Sequence, residues 1–100
     1  MTVYVDTMEA PFGRMKMCHM FADTLAELNH MADAIGVARK WIQHPPKASW
    51  VHYDIALNKK KLAIKHGAVL IEWRDILDYA WAQHFQDDFL MLDTRRDIPL

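Results

Sequence analysis

The chain has one cysteine, Cys18, and one serine, Ser49, in 100 residues. A single thiol excludes an intramolecular disulfide and a zinc site built on sulfur ligands, and it fits a reducing, cytoplasmic setting. The lone serine lies outside any Gly-x-Ser-x-Gly arrangement, so there is no nucleophile elbow. Only Gly13, Gly36 and Gly67 are glycines. No P-loop and no Gly-x-Gly-x-x-Gly turn is present, nor is a Cys-x-x-Cys or His-Glu-x-x-His motif. No apolar run approaches the roughly 20 residues that span a bilayer. The first residues, Met1 to Asp6, lack the basic flank and long apolar stretch of a signal peptide. Neither sign of charge prevails. Twelve Lys+Arg stand against thirteen Asp+Glu, a net charge of −1, which argues against a protein that coats extended nucleic acid.

What is there suffices for one folded domain. The composition is 52% hydrophobic and 25% charged, enough to bury a core and too apolar for a disordered chain. A globular α/β domain is expected over residues 1–92, with a polar tail from Asp93 to Leu100. Thr2 to Asp6 reads as a strand, since Val3, Tyr4 and Val5 are all β-formers. Arg14 to Ala22 is a second, with Met15, Met17, His19 and Phe21 on one face and Lys16, Cys18, Met20 and Ala22 on the other. A helix starting at the methionines is the rival reading. Thr24-Leu25-Ala26-Glu27 is a capping box. It opens a helix with Leu25, Leu28, Ala32 and Ile35 at helical spacing, and Gly36 stops it. The segment from Gln43 to Ser49, with Pro45-Pro46, is a loop. Asn58 is placed to cap a helix through Lys65 that Gly67 ends. Val69 to Glu72 is a short buried strand, and Asp75 would cap a last helix with Ile76, Leu77, Ala80, Trp81 and Phe85 as its stripe. The sum is a small single-layer α/β sheet of about three strands with three helices.

Three constellations carry chemistry. Asp6, Asp23 and Glu72 end the three expected strands. If the strands run parallel, these carboxylates converge on one edge and offer oxygen ligands to Mg²⁺ or Mn²⁺. The plainer alternative is that strand ends are polar because they meet solvent, and an antiparallel strand would carry its carboxylate to the opposite edge. The second is His52-Tyr53-Asp54, expected in a loop before a helix: a titratable base, a phenol and a carboxylate together. Its alternative is a capping Asp54 and a packed Tyr53. The third is Gly13 to His19, where Arg14 follows a Pro-Phe-Gly turn and is poised to meet an anion. His19 and Lys16 are the polar positions on an apolar strand, and a histidine so placed is more often a hydrogen-bonded core residue than a ligand. Cys18 reads as core. Lys59-Lys60-Lys61 with Lys65 makes one basic helix face, where Lys61 would contact phosphate or simply be solvated. Trp41 and Trp50 flank the proline loop, either as a stacking wall or as anchors.

Val3-Tyr4-Val5-Asp6, Phe12-Gly13-Arg14-Met15, Cys18-His19-Met20, Ala22-Asp23-Thr24, His52-Tyr53-Asp54 and Gly67-Ala68-Val69 occur in order. This set resembles a family of short bacterial and phage proteins known as domain of unknown function number four-zero-three-one. The resemblance covers about the first three quarters of the chain. It implies that Asp6, Arg14, His19, Asp23, His52, Tyr53 and Asp54 belong to the family's signature, and it implies no activity.

Three functions compete. In the first, Arg14, Tyr53 and Lys61 bind a phosphate-bearing small ligand such as a nucleotide. In the second, Asp6, Asp23 and Asp54 hold Mg²⁺ or Mn²⁺ in a phosphoesterase or nuclease-like enzyme, with His52 or His19 moving the proton. In the third, the methionine-rich strand and the last helix pair with a partner chain, including a second copy. Balanced charge favours the small anionic ligand over long DNA.

Overall fold

A computed structural model describes residues 2–48 and 50–80. The strand expected at the methionines forms and the rival helix does not: Met15–Ala22 is an eight-residue strand, β3, at the centre of the sheet. β1 (Val3–Asp6) and β2 (Ala10–Phe12) both pair antiparallel with it. Both lie along the same edge of β3, because β4 (Tyr53–Ala56) takes the other edge from Met17 to Met20. β5 (Val69–Ile71) lies outside β1 and runs parallel to it. The sheet therefore has five strands rather than about three. β3 alone runs against the others.

The two strands beyond the expectation are short and locally disguised. β2 is three residues with Pro11 at its centre. A proline is tolerated there because the strand lies at an edge of the sheet, where a missing donor breaks no ladder. Gly13 turns the β2–β3 hairpin at φ 60°. A positive φ at the first of two loop positions, followed by a residue with negative φ, is the pattern of a type II′ turn. β4 has Asp54 near its start and His52 just before it, and both read as loop residues when the pairing partner is unknown.

α1 (Leu25–Ile35) follows the sequence closely. Thr24 Oγ1 accepts the Glu27 N–H at 3.3 Å, and Gly36 closes the helix at φ 78°. α2 (Leu57–Lys65) starts directly from β4 with Ala56 as its cap residue. Asn58 is thus inside the helix rather than before it, and its Oδ1 accepts the adjacent Lys59 N–H at 3.0 Å. After β5 a 3-10 turn (Trp73–Asp75) leads into α3 (Ile76–Ala80). The expected continuation through Trp81 and Phe85 lies outside the described residues, as do Ser49 and the tail from Asp93. β5 is an edge strand, so only Ile71 is buried, whereas Val69 and Leu70 are half exposed. Among the described residues no helix is long and apolar enough to cross a membrane.

The pleat sorts the sheet into two unlike faces. Val3, Val5, Cys18, Met20, Ala22, Val51, Tyr53 and Ile55 form one face, buried under Leu28, Met31, Ala32 and Ile35 of α1 and Ala63 of α2. This is the main core, and its contacts carry most of the stability. Tyr53 is fully buried in it and donates its hydroxyl to Asn29 Oδ1 at 2.7 Å. The opposite face has a smaller cluster. Phe21 and Ile71 are buried there, with Tyr4, Trp50 and Ile76 packed against them. Tyr4 stacks on Phe21 at 5.0 Å and Trp50 meets Phe21 edge-on at 5.1 Å.

The Tyr53 hydroxyl joins sheet to helix inside the core. Tyr53→Phe leaves Asn29 Oδ1 without that donor, and a loss of about 1 kcal/mol is expected in urea unfolding with an unchanged m-value.

Candidate metal centre

The site lies on the second face, where β1 and β4 flank the middle of β3. The register sets His19 directly opposite Asp54. Alternation puts Trp50, His52 and Asp54 on one side of their segment, and His19 shares that side. The Gln43–His52 bridge holds the start of this segment in place.

The β1 side supplies the support. The β1 ladder ends at Val5–Met20 and the β2 ladder begins at Ala10–Met17. Between Asp6 and Ala10, the residues Thr7, Met8 and Glu9 face only Cys18, so the backbone bulges away. Asp6 spans the gap with its side chain. Its Oδ1 accepts the His19 backbone N–H at 2.9 Å and the Met8 N–H at 3.3 Å. Its Oδ2 lies 2.7 Å from His19 Nδ1. Asp6 is fully buried. The carboxylate bond, the larger influence, and the nearby negative charges raise the His19 pKa above its ordinary 6.5 although burial opposes this.

With Nδ1 engaged, His19 turns Nε2 towards Asp54, whose Oδ1 is 3.9 Å away. His52 is arranged alike. Its Nδ1 lies 3.3 Å from the Trp50 carbonyl, and its Nε2 is 3.4 Å from the same Asp54 Oδ1. The Trp50 ring lies flat on the His52 ring at 4.2 Å and 20°. His19 meets His52 edge-on at 5.1 Å. The His52 bond, chiefly, keeps the Asp54 carboxyl below its ordinary range. One donor atom from each of His19, His52 and Asp54 lies within 4.8 Å of the others. His52 is buried, His19 half-buried and Asp54 exposed, so the cluster opens to solvent on the Asp54 side.

The other residues singled out from the sequence fall elsewhere. Asp23 ends β3, the antiparallel strand, and so stands at the far end of the sheet from Asp6. There it accepts the Thr2 N–H and the Tyr4 hydroxyl, both at 3.0 Å. The set Asp6, Asp23 and Asp54 is therefore not one cluster, and Asp6 sits behind His19 rather than beside Asp54. Tyr53 points through the sheet into the core, away from its sequence neighbours His52 and Asp54. Arg14 is at the hairpin tip, five strand residues from His19 or about 17 Å. Of the lysine run, Lys59 donates to Ile35 O at 2.8 Å and Lys60 to Asp6 O at 3.3 Å. Lys61 is exposed on α2, over the other face. Glu72 accepts the Thr7 hydroxyl at 3.2 Å. Cys18 is buried in the core with its thiol pushed up to about 12 by burial, which suits packing and not nucleophilic attack.

Trp50 is the member that the sequence reading did not assign to His52 and Asp54. The spacing 50, 52, 54 is a strand period, and reading the segment as a strand would have joined them. A cleft of about 450 Å³ lies at the opposite end, between Thr2, Glu27, His30 and His66, and shares no residue with the cluster.

Residues 3–83 match the family described as "Protein of unknown function (DUF4031)". The chain belongs to this family. The match runs from the first residue of β1 past α3, so the whole cluster lies within the family domain. No curated protein matches the chain, and no solved structure matches it.

The Asp6–His19 pair makes stability pH-dependent. A raised folded pKa means that the pair contributes fully below the unfolded value near 6.5 and less as pH rises through the folded value. Asp6→Asn should bring the His19 titration, followed by NMR, down towards 6.5 or lower. The stability gap between Asp6→Asn and the parent should narrow from pH 6 to pH 8.5 in chemical denaturation.

Proposed function

We propose that this chain binds a divalent metal ion through His19, His52 and Asp54 and uses it to hydrolyse a phosphoester. The single observation that carries this reading is the aim of the two imidazoles. Each has Nδ1 held by a fixed acceptor, Asp6 for His19 and the Trp50 carbonyl for His52, and each presents Nε2 to Asp54 Oδ1. A metal-binding histidine characteristically donates its other nitrogen to a carboxylate or carbonyl.

The spacing agrees. Ligand atoms about 2.0–2.1 Å from a tetrahedral ion stand about 3.3 Å apart. The His52–Asp54 pair, at 3.4 Å, already has that separation, and the His19–Asp54 pair, at 3.9 Å, needs a small inward turn. Two imidazoles with one carboxylate suit a first-row transition ion such as Zn²⁺ or Mn²⁺ better than Mg²⁺, which prefers oxygen throughout. Three protein ligands leave a coordination position open, as in hydrolytic centres. A bound ion there would activate water and polarise a phosphoryl oxygen. Asp6 keeps His19 in the right tautomer and orientation. Trp50, braced by Phe21, covers one face of the His52 ring, and the Asp54 side admits the substrate.

Binding a phosphate-bearing ligand without turnover draws less support. Arg14, Tyr53 and Lys61, the groups it needs, are spread over a hairpin tip, the core and the outer helix. An anion at His19 and His52 would also face the Asp54 carboxylate and the buried Asp6.

Titration calorimetry of metal-free protein should give one Zn²⁺ or Mn²⁺ site per chain. His52→Ala or His19→Ala should abolish it, and Asp6→Asn should weaken it by about 10–100-fold. Tyr53→Phe and Asp23→Asn should leave affinity unchanged where the fold persists. Equal affinity in the parent and in His52→Ala would overturn the reading. The metal-loaded protein should release phosphate from a phosphoester, and a chelator should stop it.

A further inference from the structure

The face that carries the His–Asp cluster continues beyond it as a strip of apolar side chains. One step along β3 from His19 is Met17, which lies opposite Ala10 of β2 on one side and Ala56 of β4 on the other. The next same-face pair is Met15 with Phe12. These five side chains include no charged or hydrogen-bonding group. Phe12 is 68% exposed and Met15 is 49% exposed, although both are large and apolar. α1 and α2 pack on the opposite face. On this face, among the described residues, Ile76 packs on the Phe21 and Ile71 cluster, on the far side of His19 from Met17.

The shape of the strip follows from the register. The alanines on both sides of Met17 are short, so the strip is low around one flexible thioether and two strand spacings, about 10 Å, wide. It runs about 13 Å from His19 to Met15. On the opposite side of the cluster Trp50 lies flat against His52. A molecule bound at Asp54 can therefore extend over the uncharged strip on the Met17 side.

We infer that the substrate is a phosphoester bearing a planar, uncharged aromatic group, with a nucleobase as the fitting case, and that this group lies over Met17 with Met15 and Phe12 beyond it. The phosphate end depends on the metal centre proposed above, whereas the strip stands on the sheet register alone. The chemistry suits a flat ring. Methionine sulfur makes favourable contacts with aromatic rings and adapts to their outline, and Phe12 offers a second face for stacking. The strip has no donor or acceptor side chain with which to read one base from another, so it would accept bases with little discrimination.

The test uses protein labelled with ¹³C at the methionine methyls, with Met17 assigned through Met17→Thr. Adenosine 5′-monophosphate is titrated against glycerol phosphate, each with and without Zn²⁺. The nucleotide should shift the Met15 and Met17 methyls upfield by ring current, and glycerol phosphate should not. Phe12→Ser, at an exposed position with no contact to the cluster, should weaken nucleotide binding about tenfold. It should leave glycerol phosphate binding and the calorimetric Zn²⁺ affinity unchanged. Methyl shifts that are absent, or equal for the two ligands, overturn the aromatic subsite. So do shifts that follow protein concentration instead of nucleotide, which would make the strip a contact between copies of the chain. Loss of Zn²⁺ binding with the nucleotide shifts retained would overturn the metal centre and leave the subsite standing.

Discussion

One carboxylate holds the centre of this sheet together. Asp6 stands where the chain bulges between β1 and β2, and it replaces the missing ladder bond by accepting the His19 N–H with its side chain. The same group binds His19 Nδ1. A fully buried carboxylate is costly unless its oxygens are satisfied. Here three donors satisfy them, and no buried side-chain polar atom among the described residues lacks a partner. The backbone of β3 and the direction of the His19 ring are thus set by one residue. Removing its charge would loosen both.

Around that bond the two faces divide the work. The helical face supplies the apolar area that makes the fold stable, with Tyr53 and Met20 at its middle. The other face is built from aromatic stacking at one end and polar groups at the centre. Trp50 belongs to both groups. It packs edge-on against Phe21 and flat against His52, so the aromatic cluster braces the ring that presents Nε2 to Asp54. A stiff support of this kind is what a metal or catalytic group needs to keep its geometry. The basic run serves packing as well. Lys59 satisfies the carbonyl of Ile35 at the end of α1, beside Gly36, whose added Cβ would meet the lysine Nζ at 3.3 Å.

How much of this was legible depends on the range of the interaction. The capped helix from Leu25 to Ile35 was clear in both its start and its stop, because capping is decided within a turn of chain. The face assignment of Met15 to Ala22 was equally clear, since alternation belongs to any strand. β2 and β4 were not legible. Pro11 argues locally for a turn, and His52-Tyr53-Asp54 argues locally for a loop. Both become strands only through the edges of β3. The site followed the same rule. Residue type singles out His19, His52 and Asp54, but it groups Asp23 with them as well, and only the antiparallel direction of β3 separates Asp23 from the cluster.

The sequence by itself determined an apolar content sufficient for a core, the lack of a second cysteine and of a P-loop motif, the capped helix, the two-faced strand and the polar residues from which a centre could be made. Those properties rest on composition and on contacts within a few residues. Only the tertiary structure decided which of those residues meet. Strand direction sent Asp23 to the far end, and the pleat sent Tyr53 through the sheet. The register then brought His19 to Asp54 across 35 positions of chain. Direction and register are set by hydrogen bonds between distant strands and by the burial of one whole face, and no local pattern of residues encodes them.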